Sequence, residues 1–256
     1  MLKNNKSLGQ HWLKDRFILD EIAELSAEDV SSIRCLEIGP GLGTLTSALL
    51  RVFPEVTSVE FDENLAKNLP KSFPGKNLTV INADFLKFDL DSFQTPYSVA
   101  GNIPYYITSP IIEKLLKTPN KPEKIVLLIQ KEVAERIGKK NKKSSPLSLF
   151  VENLAEISLG SVVKRDYFTP PPKVDSQILI LTPRKSPLVS DDIIDFARRC
   201  SRMPRKKLTA NISTSEGISR PTALEWLREA SIPENARPED LSLENWQTLE
   251  NIQKKH

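Results

Sequence analysis

Short apolar runs alternate with helical patterns along the first two thirds of the chain, and this alternation constrains the fold more than any other feature. Five runs indicate strands: Arg34–Ile38, Val56–Phe61, Leu78–Ile81, Tyr97–Ala100 and Lys124–Gln130. Helical patterns lie between them, at Thr44–Val52 and at about residues 110–117. Strands that alternate with helices form a mostly parallel sheet with helices on both faces. We therefore predict an α/β, Rossmann-like domain.

The organisation changes in the last third of the chain. Later strands are predicted at Ile157–Val163 and Ser176–Leu181, on either side of Phe168–Lys173, whose three consecutive prolines indicate a stiff extended loop. Pro183–Pro187 has the composition of a linker. Amphipathic helices are predicted after it, at Asp191–Arg202, Thr222–Ala230 and Leu243–Ile252, with Ser242 and Asn245 placed to cap the last one. We predict a Rossmann-like domain over residues 1–185 and a small all-helical domain over residues 186–256.

Histidine and cysteine are scarce, with two of each among 256 residues: His11, His256, Cys35 and Cys200. This scarcity disfavours a histidine-based metal site and a Ser-His-Asp triad. The cysteines have no paired spacing, and we expect them to be buried small hydrophobes. No apolar run is long enough to cross a bilayer, and residues 1–7 lack the apolar stretch of a signal peptide. We expect a cytoplasmic protein with no bound metal and no membrane association.

A glycine-rich loop, Glu37–Gly43, joins the first predicted strand to a helix. Glycine allows a sharp turn and lets a ligand approach the backbone closely. The spacing is Gly-x-Gly-x-Gly, from Gly39 to Gly43, and it differs from the Gly-x-Gly-x-x-Gly of dinucleotide-binding proteins. Glu37 is unfavourable beside a pyrophosphate, whereas it suits a ligand that carries a cationic amino group and a sulfonium.

Two acidic residues follow the next strands. Glu60 ends the second strand, where a carboxylate can accept hydrogen bonds from both hydroxyls of a ribose. Asp84 follows the third strand, where it can accept a hydrogen bond from a cofactor adenine amine or cap the next turn. Because the carboxyl ends of parallel strands meet at one edge of a sheet, we expect Gly39, Glu60 and Asp84 to form one site.

The tetrapeptide Asn102–Tyr105 follows the fourth strand. The exocyclic amine of adenine is a poor nucleophile because its lone pair is delocalised into the ring. Asn102 can accept a hydrogen bond from that amine, and Pro104 can fix a carbonyl, that of Ile103 or its own, as a second acceptor. Tyr105 can stack on the base. We therefore predict methyl transfer to this amine without a metal or a strong base, driven mostly by positioning.

At these residues the chain resembles the ribosomal RNA adenine N6,N6-dimethyltransferases of the KsgA/RsmA family over nearly its whole length. The matching segments are Leu8–Leu13, Glu37–Gly43, Glu60, Asp84, Asn102–Tyr105, Gln130–Arg136, Phe168–Ser176 and Arg237–Ser242. Trp12 stands where the family usually has phenylalanine. The resemblance implies S-adenosylmethionine as cofactor, in an S-adenosylmethionine-dependent methyltransferase fold.

The resemblance also implies roles for single residues. The residues that would contact the cofactor are His11, Leu13, Gly39, Glu60, Asp84 and Asn102. Tyr105 and Phe168 would sandwich the target adenine. Basic residues of the helical domain, Arg205, Lys206 and Lys207, would hold the RNA backbone. Independently, the basic clusters at residues 139–143, 198–199 and 202–207 together indicate a phosphate-binding face. The implied substrate is two adjacent adenines near the 3′ end of small-subunit (16S) ribosomal RNA, in an immature 30S subunit bound by a monomer.

Three other functions stay open on the sequence alone. An Erm-type enzyme would use the same chemistry on large-subunit RNA, although the proline-rich segment Phe168–Ser176 and Arg237–Ser242 favour the small-subunit enzyme. A ribosome assembly factor without catalysis would bind RNA in the same way. An NAD-dependent oxidoreductase is disfavoured by the glycine spacing.

Overall fold

The computed structural model describes residues 11–138 and 143–255, and it divides the chain into two compact units. The first unit contains residues 1–134 and 155–183, and the second contains residues 135–154 and 184–256. The chain therefore passes between the units three times, whereas the sequence analysis places one boundary at residue 185. The difference arises because the segment 135–154 belongs to the second unit. The function of each domain stays a prediction.

Strands of the first unit are β1 (Trp12–Leu13), β2 (Arg34–Ile38), β3 (Glu55–Glu60), β4 (Leu78–Asn82), β5 (Ser98–Asn102), β6 (Lys124–Gln130), β7 (Ala155–Val163), β8 (Phe168–Thr169) and β9 (Ser176–Pro183). Its helices are α1 (Arg16–Ala27), α2 (Thr44–Val52), α3 (Glu63–Asn68) and α4 (Thr108–Lys117), and α5 (Lys131–Ile137) begins there. Within the described residues, one seven-stranded sheet has the order β4-β3-β2-β5-β6-β9-β7. The first five of these strands are parallel, and β9 is antiparallel to both of its neighbours. The Rossmann-like, mostly parallel prediction is confirmed.

Helices cover both faces of this sheet. One apolar cluster joins Leu19 of α1 and Leu49 of α2 to Cys35, Ala100 and Val126 on the sheet. Because side chains alternate along a strand, the residues next to these on the strands face the other way. Those neighbours, Leu36, Val99 and Leu127, are also fully buried, as are Ile111 and Leu115 of α4. A sheet buried on both faces explains the continuous apolar run of β6.

The short strands β1 and β8 pair in a separate antiparallel ribbon that joins the start of the described chain to the proline-rich segment. Leu13 lies opposite Phe168 in this ribbon, and both side chains are buried in the cluster that α1 and α2 cover. Phe168 is only 3% exposed. The prediction that Phe168 stacks on a base is therefore corrected, because its ring is part of the core.

The second unit is helical throughout its described residues. Its helices are α6 (Pro146–Leu154), α7 (Asp191–Arg199), α8 (Leu208–Glu216), α9 (Arg220–Glu229) and α10 (Leu243–Gln253). Ser242 and Asn245 form the predicted capping box of α10. Helix α7 ends at Arg199, three residues before the predicted Arg202, and the Cys200 amide donates to the Phe196 carbonyl at its end. Among the described residues, no helix is long and apolar enough to span a membrane.

Candidate active site

The carboxyl ends of β2, β3 and β5, and the turn that follows β4, surround a pocket of about 390 Å³. The sequence-predicted residues that line it are His11, Gly39, Glu60, Asp84, Asn102, Pro104 and Tyr105. Leu13 does not line it with its side chain, which is fully buried in the core. A contact between Leu13 and a ligand would therefore have to come from its main chain.

The glycine loop after β2 turns sharply because its glycines adopt positive φ angles. Gly39 and Gly41 have φ angles of 65° and 57°, in the left-handed region that favours glycine. A Cβ atom on Gly41 would lie 3.1 Å from the indole ring of Trp12. The loop and Trp12 thus pack directly together, and a side chain at position 41 would require the Trp12 indole to shift.

Glu60 holds the glycine loop as well as lining the pocket. Its Oε2 accepts a hydrogen bond from the Gly41 amide at 3.0 Å, and its Oε1 accepts one from the Asp62 amide at 2.8 Å. Burial raises the pKa of this carboxyl, and the two amide hydrogen bonds oppose that rise. An anion here would meet Glu60 and Asp84 together, so the lining favours a neutral or cationic ligand over a pyrophosphate.

Glu37 lies at the base of the glycine loop, fully buried on β2. Its Oε2 accepts hydrogen bonds from the hydroxyls of Thr46 (2.7 Å) and Ser58 (2.6 Å). Its Oε1 has no hydrogen-bond partner among the described residues. Burial raises the pKa of Glu37 to about 7, although the two hydroxyl hydrogen bonds favour the charged form. Its carboxylate therefore joins β2 to α2 and β3, and it does not line the pocket, so it does not face a cationic ligand as expected from the sequence.

Asp84 caps the next turn, which is one of the two roles that its sequence position left open. Its Oδ1 accepts a hydrogen bond from the Leu86 amide at 2.9 Å and so caps the turn Phe85–Lys87. The same residue lines the pocket. The cap fixes the orientation of the carboxylate relative to the pocket.

A hydrogen bond to the main chain of His11 orients the side chain of Asn102. Its Nδ2 donates to the main-chain carbonyl of His11 at 2.9 Å. A carbonyl can only accept, so the nitrogen must face His11 and the oxygen Oδ1 is left as an acceptor. The His11 ring is held in turn, since its Nδ1 donates to the Pro170 carbonyl at 2.7 Å. The proline-rich segment therefore supports the site through His11.

A hydrogen bond to Ser176 holds the side chain of Tyr105. Its hydroxyl shares a 2.7 Å hydrogen bond with Ser176, the first residue of β9. Its ring is nearly parallel to the His11 ring, with an angle of 22° between the planes and 6.2 Å between the centres. Burial raises the pKa of the Tyr105 hydroxyl, which keeps it protonated. Sequence reasoning missed Ser176 and Pro170 because hydrogen bonds to residues 71 and 159 positions away leave no local pattern.

Comparison with known proteins decides the family. The family model for ribosomal RNA adenine dimethylases matches residues 1–255. The chain belongs to the ribosomal RNA adenine dimethylase family. It is 38% identical to the ribosomal RNA small subunit methyltransferase A of Dehalococcoides mccartyi strain CBDB1, over 97% of this chain and 88% of the relative.

Two solved structures share the fold of this dimethylase. A dimethyladenosine transferase from Plasmodium falciparum superposes with a TM-score of 0.76 at 29% identity, over 96% of this chain and 98% of that one. The 23S rRNA methyltransferase ErmE superposes with a TM-score of 0.73 at 31% identity, over 93% of this chain and 97% of that one. The fold therefore does not separate small-subunit from large-subunit targets.

The dimethylase is an S-adenosylmethionine-dependent methyltransferase, and the residues of its pocket fit that cofactor. The carboxylates of Glu60 and Asp84 suit ribose hydroxyls and an adenine amine. The negative charge of this edge suits a sulfonium and an amino group. Trp12 adds a buried indole N–H that has no partner among the described residues, beside Gly41.

The other predicted residues lie elsewhere. Arg205, Lys206 and Lys207 belong to the second unit, where their side chains are exposed. Residues 8–10 of the first matching segment and residues 139–142 of a basic cluster lie outside the described part of the chain. Cys35 and Cys200 are both buried and unpaired, as predicted.

Proposed function

We propose that the dimethylase transfers methyl groups to N6 of two adjacent adenines near the 3′ end of small-subunit ribosomal RNA. The single observation that carries the chemistry is the Asn102 amide, whose nitrogen is fixed on the His11 carbonyl and whose oxygen is left as an acceptor. The choice of the small subunit is supported by full-length relatives named ribosomal RNA small subunit methyltransferase A, at 38% identity. The segments Phe168–Ser176 and Arg237–Ser242 support the same choice.

The target amine would be activated by two acceptors. Oδ1 of Asn102 accepts from one N–H, which localises the nitrogen lone pair away from the ring. The Pro104 carbonyl already accepts a hydrogen bond from the Ile107 amide at 3.2 Å, so the Ile103 carbonyl is the better second acceptor. Tyr105 stacks on the base and fixes its plane. Each transfer replaces one amine proton, which leaves to water after the new N–C bond has formed.

Residues of the pocket would position the methyl donor, S-adenosylmethionine, beside that amine. Glu60 accepts from the ribose hydroxyls, Asp84 accepts from the donor's adenine amine, and the Gly39 backbone permits close approach. His11 and Leu13 contact the donor beside the chemical site. When bound, S-adenosylmethionine supplies the methyl group from its sulfonium.

The second unit would bind the RNA. Its exposed cations Arg205, Lys206 and Lys207 suit phosphates, which positively charged side chains contact without regard to sequence. We infer that the substrate is an immature 30S subunit in the cytoplasm and that one monomer acts on it.

Purified small and large subunits from a strain that lacks the protein would test this proposal. We expect incorporation of methyl groups only into small subunits, with mass spectrometry locating them on two adjacent adenines. The Asn102→Ala variant should bind the same subunits and transfer no methyl groups. Full activity of Asn102→Ala would refute the mechanism.

The second candidate is an Erm-type activity on large-subunit RNA, since the chain is 31% identical to ErmE and shares its fold. Methylation of large subunits alone would establish that candidate. A non-catalytic assembly role would instead give subunit binding with no methyl transfer by the unaltered protein.

A further inference from the structure

An exposed loop of the second unit, residues 202–207, carries a high density of positive charge between α7 and α8. Its cations are Arg202, Arg205, Lys206 and Lys207, and all four side chains are exposed. None of the four has an ion-pair partner among the described residues. Some other cations of the same unit have partners: Arg199 with Glu216, Arg228 with Glu234, and Lys254 with Glu250.

The shape of this loop is set by one buried side chain. Asn211, on α8, is 1% exposed. Its Oδ1 accepts from the Met203 amide at 2.9 Å, and its Nδ2 donates to the Met203 carbonyl at 3.0 Å. Nδ2 also lies within hydrogen-bond distance of the carbonyls of Lys207 (3.2 Å) and Lys206 (3.4 Å). One carboxamide thus satisfies polar backbone groups at both ends of the loop.

This arrangement fixes the backbone while the charged ends of the side chains stay in solvent. Buried polar groups must be hydrogen-bonded, so the Asn211 carboxamide and the loop backbone depend on each other. Four like charges within six residues repel one another, which favours a more extended loop unless an opposite charge binds. A charged surface that is merely solvated needs no such fixed backbone. A preformed group of cations is what a polyanion binds with least loss of conformational entropy.

We propose that Asn211 is a positioning residue that holds Arg202–Lys207 as a preformed binding surface for the phosphate backbone of RNA. This proposal rests on the proposed function for the choice of RNA as partner. It assigns to Asn211 a role in RNA affinity that acts through the loop and involves no contact between Asn211 and RNA.

The salt dependence of RNA binding tests the proposal, because the slope of log affinity against log salt counts the phosphate contacts. The probe is a transcript of the small-subunit 3′ region, titrated with the full-length protein at several salt concentrations. We expect Asn211→Ala to weaken binding by about tenfold and to reduce the slope by about one to three. The charge variant Arg205→Gln/Lys206→Gln should reduce the slope similarly. When this charge variant is combined with Asn211→Ala, the loss of RNA affinity should be smaller than the sum of the two separate losses.

Asn153 provides a matched control in the same unit. It is also fully buried, and its Oδ1 accepts from the Val189 amide at 2.8 Å, so it holds a different segment from Arg202–Lys207. Asn153→Ala should destabilise the fold without changing the salt slope. An equal change of slope in Asn153→Ala would show a merely structural effect and overturn the proposal.

Further outcomes are decisive even if Asn211→Ala folds poorly. The variant Arg205→Gln/Lys206→Gln alters only exposed side chains, so an unchanged slope there would overturn the proposal by itself. Unchanged RNA binding with weaker binding to assembled subunits would show that the loop binds a protein, which also overturns it. Binding of S-adenosylhomocysteine should be unaffected in every variant. Because phosphate contacts do not depend on sequence, the slope change should persist on large-subunit RNA even if the proposed target is wrong.

Discussion

The carboxamide of Asn102 donates a hydrogen bond to the main-chain carbonyl of His11, a residue 91 positions earlier in the chain. This contact determines which end of the carboxamide faces the pocket. The proposed acceptor is therefore oriented by a backbone group, and the His11 ring is itself held by the Pro170 carbonyl.

Exchanging Asn102 for aspartate separates the two functions of its amide. Asn102→Asp keeps an acceptor oxygen but loses the donor and brings a carboxylate against the His11 carbonyl. We expect single-turnover methylation about 10 to 100 times slower than in the unaltered enzyme, yet faster than in Asn102→Ala. Asn64→Asp, on the exposed surface of α3, is the control and should be fully active. An unaltered rate in Asn102→Asp would show that the contact with His11 does not matter.

The hydrogen bond between Tyr105 and Ser176 should contribute to catalysis by holding the stacking ring. We expect Ser176→Ala and Tyr105→Phe each to lower kcat about five- to tenfold, which corresponds to about 1 kcal/mol for a hydrogen bond. The double variant should be no slower than either single one. Ser98→Ala removes another fully buried serine hydroxyl, one with no hydrogen-bond partner in the described part of the chain, and should leave kcat unchanged. Additive losses in the double variant would contradict the coupling.

Glu37 predicts a pH-dependent stability. Burial raises its pKa from 4.5 to about 7 in the folded protein, so between these values the folded state binds a proton that the unfolded state lacks. Its contribution to stability is therefore complete below about pH 4.5 and is lost as the pH rises to about 7. Urea unfolding of Glu37→Gln should show a flatter pH profile across this window. The exposed Glu63→Gln should keep the original profile, and an unchanged profile in Glu37→Gln would refute the assignment.

Phe168 should behave as a core residue. Phe168→Ala should lower the free energy of unfolding by about 3–5 kcal/mol, because it leaves a cavity in the cluster that α1 and α2 cover. Phe168→Leu, which preserves most of the apolar volume, should retain methylation. Phe17→Ala is the control, since that side chain is 86% exposed and its removal should leave stability unchanged. Loss of activity with full stability in Phe168→Leu would restore a role in base stacking.

Local patterns predicted the central sheet well. The bounds of β2, α2 and β6 match the prediction because uninterrupted apolar runs and regular helical spacing were present there. Helix α1 was missed, although Asp15 caps it by accepting from the Ile18 amide at 3.0 Å. Its exposed Phe17 interrupts the simple amphipathic pattern.

Contacts between residues far apart in the chain could not be predicted from local sequence patterns. The family resemblance implied that Phe168 contacts the substrate, but Phe168 is buried opposite Leu13 in the β1–β8 ribbon. The position of β9 between β6 and β7 also leaves no local signal. The pocket residues were predictable because the ends of parallel strands meet at one edge, whereas the residues that hold Asn102 and Tyr105 come from other parts of the chain.

The strand order has a consequence for the synthesis of this enzyme. Strand β7 leaves the translating ribosome before β9, although among the described strands β7 pairs only with β9. Tyr105 likewise emerges 71 residues before Ser176, its hydrogen-bond partner. A nascent chain therefore contains Gly39, Glu60 and Asn102 well before it contains the partner of the Tyr105 hydroxyl. Until β9 emerges, both β7 and Tyr105 lack the contacts that β9 gives them in the folded protein.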